Sequence, residues 1–129
     1  MRDNKQIVRD MYIALADLPD SLAILDFIDT NCVWRIPGLA TYYGKQDIKD
    51  KLLLPFGRGM ANLGIMELTN IISEGDLVVA EGFARDRKTK SGKNYNNTYC
   101  TIFEIRDSKI HSVSEYCDTG LVKDIFGST

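Results

Sequence analysis

The sequence predicts an α+β fold, helices first and an antiparallel sheet afterwards, from three observations. Apolar residues recur at helical spacing near the start, four β-prone runs follow one another between about residues 63 and 117, and short turn sequences join those runs. At 129 residues the chain is near the size of one domain and can bury a core without staples, so a single domain over 1–129 is expected.

Taken in order, Ile7, Val8, Met11, Tyr12 and Leu15 share one face of a helix over residues 4–16, with Asp3, Lys5, Arg9 and Asp10 elsewhere. Leu18-Pro19-Asp20-Ser21 breaks that helix, and Asp20 or Ser21 is placed to cap a second one carrying Leu22, Leu25, Phe27 and Ile28. Residues 30–36 are rich in β-formers and read as a strand that runs through Pro37-Gly38 into an irregular stretch ending at Gly44. A short helix over 46–54 directs Ile48, Leu52 and Leu53 to the core and ends before Pro55. The β-prone runs are 65–73, 77–85, 95–106 and 109–117. Glu74-Gly75-Asp76 and Arg106-Asp107-Ser108-Lys109 are tight hairpin connections, and Lys90-Ser91-Gly92-Lys93 is a longer polar tip. A short helix over 118–126, capped by Asp118 or Thr119, ends the pattern.

Composition narrows the function classes. The net charge of -2 is spread along the chain and offers no footprint for nucleic acid or anionic lipid. Arg85-Asp86-Arg87-Lys88-Thr89-Lys90 is interrupted by an acid and reads as a solvated hairpin end rather than a binding patch. No apolar run approaches the roughly 18 residues of a membrane span, and the start of the chain reads as an amphipathic segment rather than a signal peptide. Cys32, Cys100 and Cys117 are an odd set without C-x-x-C spacing, which argues against a disulfide framework or a zinc site and fits a reducing cytoplasm. His111 is the sole histidine, so a histidine-rich metal site is excluded and any Ser-His-Asp or Cys-His mechanism would have to run through it. No metal and no cofactor are expected.

Alternate strand residues share a face. In the second run Val78, Ala80, Gly82 and Ala84 form a row of small residues, which either lets a covering element come close or leaves room for a ligand. In the third and fourth runs Asn97, Tyr99, Thr101, Phe103 and His111, Val113, Glu115, Cys117 mix apolar with isolated polar groups. Glu115 stands either at an exposed surface or in a pocket that raises its pKa by desolvation.

The order of elements resembles the SnoaL-like branch of the nuclear-transport-factor-2-like superfamily. Matching pieces are Tyr12-Ile13-Ala14-Leu15, Val33-Trp34-Arg35-Ile36-Pro37-Gly38, Tyr43-Gly44-Lys45-Gln46-Asp47-Ile48, Gly92-Lys93-Asn94-Tyr95-Asn96-Asn97 and Ser108-Lys109-Ile110 with Glu115-Tyr116-Cys117-Asp118. The resemblance implies a cone-shaped α+β roll, N-terminal helices packed on a strongly curved, mostly antiparallel sheet around a pocket for a small apolar molecule. It also implies a homodimer through the outer sheet face. Isomerases, cyclases, epoxide hydrolases, dehydratases and non-enzymatic binding proteins share this fold, so each functional residue has to be compared separately.

Tyr12 stands where steroid isomerases carry their oxyanion-stabilising tyrosine, but their proton-shuttling aspartate falls on Ile36 and their assisting acid on Thr101. Isoleucine moves no proton, which disfavours that mechanism. Limonene-epoxide hydrolases match at Gly92, Tyr95, Asn96 and Glu115. Their water-holding tyrosine and asparagine become Trp34 and Ile36, however, and their arginine and second aspartate become Gly82 and Ala84. Cyclases of the SnoaL type, with a late acidic proton acceptor, remain. On this comparison Glu115 and Tyr12 are the candidate catalytic residues, with Trp34, Ile36, Asn97, Tyr99, Thr101, Val113, Gly82 and Ala84 around the substrate. Two readings stand: an isomerase or cyclase in which Glu115 transfers a proton next to a carbonyl, or a non-catalytic ligand-binding or dimeric interaction domain.

Overall fold

A computed structural model of the chain describes residues 3–16 and 21–127; the proposed break and cap at Leu18, Pro19 and Asp20 lie outside them. Helix α1, Asn4–Ala16, forms over the expected residues. It starts at Asp3, whose Oδ1 accepts a hydrogen bond from the Gln6 amide at 2.8 Å and so satisfies one of the free N–H groups of the first turn. Its apolar stripe, with Ile7, Val8 and Met11 buried, packs over strands β3 (Ile65–Glu74) and β4 (Leu77–Arg85).

The second helix of the sequence reading is instead a 3₁₀ turn, Ser21–Asp26. Sheet pairing takes the chain at that point: the Phe27 carbonyl accepts from the Ile110 amide at 2.9 Å, and strand β1 (Ile28–Ile36) begins at the next residue. Past the Pro37-Gly38 turn, where Gly38 adopts φ +88, the stretch expected to be irregular forms strand β2, Ala40–Tyr43, antiparallel to the end of β1. The next helix does not end before Pro55. It runs as α2 (Lys45–Asp47), a π-helical segment (Ile48–Leu53) and α3 (Leu54–Gly59). The Leu54 amide donates five residues back, to the Lys49 carbonyl. This wider turn immediately precedes the proline, which lacks a donor of its own, so the chain passes Pro55 while remaining helical.

Strands β3 and β4 are followed by β5 (Thr98–Arg106) and β6 (Lys109–Cys117) in an antiparallel meander, close to the expected limits. Asp107 and Ser108 both take positive φ, 52 and 63, as a two-residue hairpin turn matched to the twist of its strands requires. The curved, unclosed sheet has the order β2-β1-β6-β5-β4-β3, with β1 parallel to β6 and every other pair antiparallel. Helix α4, Thr119–Phe126, closes the described chain, capped by Asp118 Oδ1 accepting from the Leu121 amide at 3.1 Å. Among the described residues no helix is long and apolar enough to cross a membrane.

The core fills one end of the concave face. Phe103 is fully buried at its centre among Val78, Ile105, Ile110 and Val113 of the sheet, and the Tyr12 ring meets it edge-on at 6.4 Å. Burial of a side chain of that size contributes about 2–3 kcal/mol. The row of small residues on β4 is explained by close approach. Val78 and Ala80 lie in the core beneath α1, and a bulge between Leu68 and Asn70 brings the β3 backbone onto Gly82, where an added Cβ would collide with the Glu67 carbonyl oxygen. Gly82→Ala is therefore expected to destabilise the fold by about 2 kcal/mol, as overpacking against immovable backbone does, measured by urea unfolding; unchanged stability would refute the close-approach explanation.

Candidate functional site

The other end of the concave face stays open as a cavity of about 760 Å³, walled by α1, β1, β2, the π-helical segment, β5, β6 and α4. Its chemistry centres on Glu115. The strand register of β5 and β6 pairs Glu115 with Thr101 and Tyr99 with Cys117, so all four point to the same side. From the other flank, the parallel pairing of β1 with β6 sets Trp34 opposite Val113, and the indole Nε1 donates to Glu115 Oε1 at 3.1 Å.

The Glu115 carboxyl faces the cavity rather than bulk water. Burial pushes its pKa up to about 7, against the smaller opposing effects of the Trp34 hydrogen bond and the Arg87 charge. Proton gain and loss thus fall near neutrality. Tyr12 and Tyr99 titrate far above their ordinary range. Burial is the main cause in both; the Glu115 charge adds to it, while a hydrogen bond with Thr101 lowers Tyr12 and the Arg87 charge lowers Tyr99. Both phenols therefore remain protonated donors at any working pH. Burial likewise pushes the Cys117 thiol up to about 12, so this cavity-lining cysteine is not a nucleophile near neutral pH.

Of the residues singled out in the sequence, Glu115, Tyr12, Trp34, Ile36, Tyr99 and Thr101 meet at this cavity. The other four are not part of its lining. Val113 is packed in the core behind them. Gly82 and Ala84 lie on the inward face of β4, beneath the β3 backbone at Gly82 and beside Asn97, whose carbonyl accepts from the Ala84 amide at 2.9 Å. Asn97 is buried as a clasp: its Oδ1 accepts from the Asp118 amide at 2.9 Å and its Nδ2 donates to the Asp118 carbonyl at 3.2 Å, tying β5 to the start of α4.

Arg87 was not singled out, because its hexapeptide reads as a solvated hairpin end. Arg85, Lys88 and Lys90 are exposed as that reading requires, but Arg87 turns inward and lines the cavity. Asp86 causes this by adopting φ 56, which breaks the outward-inward alternation between its neighbours. The Arg87 Nε donates to the Leu63 carbonyl at 2.7 Å and Nη1 to the Tyr99 hydroxyl at 3.1 Å, and the guanidinium lies 5.5 Å from the centre of the Phe56 ring. Phe56, Tyr95 and Phe126 form an aromatic cluster beside it, with ring centroids 5.6 to 6.1 Å apart. Tyr42 joins the wall from β2, opposite Trp34. A second strand after Gly38 would have pointed to Tyr42, and Tyr95 lies in a motif shared with the resembling family; no local pattern marks Phe56, Arg87 or Phe126.

The Glu115 shift also has a consequence for stability. Its folded-state pKa lies above its unfolded value, so its contribution is complete below about pH 4.5 and is lost as pH rises through about 7. Glu115→Gln, which removes the buried charge, is expected to leave stability near its native value at pH 4 and to raise it by up to about 3 kcal/mol at pH 8. Urea unfolding at the two pH values checks this, and equal effects at both would contradict a displaced carboxyl.

No curated protein matches the chain. Among solved structures, an NTF2-like protein of unknown function from Burkholderia pseudomallei K96243 is 19% identical, with 97% of this chain and 98% of that one covered and a TM-score of 0.79. A protein of ketosteroid isomerase-like fold from Catenulispora acidiphila DSM 44928, in complex with trimethylamine, is 17% identical over 96% and 94% of the two chains, with a TM-score of 0.76. TerC, co-crystallised with polyporic acid, is 23% identical over 95% and 97%, with a TM-score of 0.71. At these identities the likeness is one of fold. The SnoaL-like domain family matches residues 8–113, from the first helix into the last strand, and the chain therefore belongs to that family, which includes isomerases and cyclases on an NTF2-like fold.

Proposed function

We propose that the cavity takes a small, largely apolar molecule and that Glu115 transfers a proton next to one of its carbonyl groups, as in an isomerisation or an aldol cyclisation. The observation that carries this reading is Glu115 itself, the only carboxylate among the described residues of the lining, with its pKa near the working pH and its orientation held by Trp34. As base, Glu115 takes a proton from the carbon beside the carbonyl and leaves an enolate. The Tyr12 or Tyr99 hydroxyl donates a hydrogen bond to the developing oxyanion, where a buried donor is most effective. The proton then passes from Glu115 to the far carbon of an extended dienolate, giving an isomer, or the enolate carbon attacks a second carbonyl to close a ring and the new alkoxide oxygen takes the proton from Glu115. Trp34 and Ile36 pack against the skeleton. Neither a metal nor a cofactor is called for by these steps.

The test is exchange of α-protons for deuterium in a panel of polycyclic and monocyclic enolisable ketones in D₂O, followed by NMR. Native protein should accelerate exchange for at least one ketone with a rate that rises as pH passes through 7, and Glu115→Gln should lose about 100-fold or more. An undiminished rate in Glu115→Gln would dismiss the reading. A second reading, binding without turnover, is favoured by the presence of a single carboxylate among the described residues of the lining, with no second acid or base of that kind beside it. It predicts ligand retention with no exchange in either form.

The outer sheet face exposes Ile72, Leu77 and Tyr116, and in this proposal it pairs two copies of the chain. Sedimentation should give the mass of a dimer, and Leu77→Lys together with Tyr116→Lys should give a monomer; a native monomer would remove this part of the proposal.

A further inference from the structure

Among the described residues three cations line the cavity, and they differ in how they are held. Lys51 is exposed and paired with Asp47 at 2.9 Å, and Lys123 is exposed on α4. Arg87 is fixed: its two hydrogen bonds, to Leu63 and Tyr99, use two of the five donors of a guanidinium, and its face rests against Phe56. Among the described residues no carboxylate lies within ion-pair distance of it. Arg87 is half-buried in a largely apolar and aromatic wall, and with no carboxylate in direct contact its remaining donors stay available to an anion. Glu115 makes no ion pair with Arg87, although the two charges act on each other. The guanidinium is also pre-organised for an oxygen acid. Its orientation is already set, so less entropy is lost when its remaining donors close on a planar anion.

We propose that Arg87 is the anion anchor of this cavity, and that its ligand is an apolar, ring-sized skeleton bearing an ionised oxygen, a carboxylate or acidic enol, at the end opposite the group presented to Glu115. This rests on the cavity being a ligand site, as proposed above, and adds the class of ligand. Tyr99 belongs to both poles: its oxygen accepts from Arg87 while its proton is free to meet a second ligand oxygen. A purely structural Arg87, serving only to clasp the Leu63 carbonyl, would confer no preference between an acid and its neutral counterpart.

Isothermal titration calorimetry with 2-naphthoate and 2-naphthamide at pH 6 separates these cases. Native protein should bind the acid at least tenfold more tightly than the amide. Arg87→Met should abolish that preference while leaving the amide within threefold, Arg87→Lys should retain part of it, and Lys51→Met should leave it unchanged. Circular dichroism confirms that each variant is folded, and the acid-to-amide ratio of the native protein stands as a test needing no variant. Equal affinities in native protein, a preference that survives Arg87→Met, or one that disappears in Lys51→Met overturns the proposal. Binding of the amide without acid preference dismisses the anchor and leaves the cavity reading intact, whereas binding of neither probe overturns both. A preference that depends on Arg87, together with unchanged deuterium exchange in Glu115→Gln, keeps the anchor and dismisses the proton-transfer mechanism.

Discussion

The parallel pairing of β1 with β6 is the contact on which the site depends. It joins the strand after the first helix to the last strand of the meander, and among the described residues it is the one pairing between strands not consecutive in sequence. Through it, Trp34 reaches Glu115 across 81 residues of sequence. It also completes the inner face, because Ile28, Cys32 and Trp34 of β1 join the same core as Ile110 and Val113 of β6. Fold and site thus share one constraint. A change in that register by one residue would turn Trp34 outward and strip the carboxylate of its donor.

The concave face is divided between two uses. Around Phe103 side chains interlock as in any protein interior, and this end supplies the hydrophobic stabilisation. Around Glu115 the helices do not fill the space, and the polar groups that remain there are costly to desolvate. The displaced titration of Glu115 expresses that cost directly: a carboxylate whose charged form is disfavoured is less stable at neutral pH than a surface one, and for the same reason is better matched to proton transfer there. Tyr12 stands at the boundary, its ring against Phe103 and its hydroxyl toward the cavity, so a core contact orients a functional group.

Arg87 and the walls outside the strands and α1 are arranged by backbone exceptions rather than by regular structure. Asp86 in a left-handed conformation turns Arg87 inward, and the π-helical segment carries Leu52 and Leu53 onto the cavity and the helix on to Phe56. Asn97 fixes the start of α4, whose far end brings Phe126 against Tyr95. Part of the cavity wall is therefore assembled from segments that depart from the meander, while Tyr99, Thr101, Glu115 and Cys117 come from the meander itself.

That division matches what was legible in the sequence. Periodicity located α1 and the four meander strands because local residue order alone determines which side chains share a face, and that is enough to place Tyr99, Thr101, Glu115 and Cys117 together once the hairpins are known. Turn chemistry at Gly75 and at Asp107-Ser108 supplied those hairpins. Resemblance to a family added Tyr12, Trp34 and Ile36. Local order could not show that β1 lies parallel to β6, that Gly82 is small because a bulged neighbour passes over it, or that Arg87 points inward while Arg85 points out. Each of these depends on a backbone contact with a residue far away in sequence or on a single left-handed dihedral, and neither leaves a periodic trace. The sequence by itself determined the first and last helices and the meander; tertiary structure decided that Glu115 faces a cavity and which groups face it there, because side-chain direction at a cavity wall is set by packing between elements rather than within them.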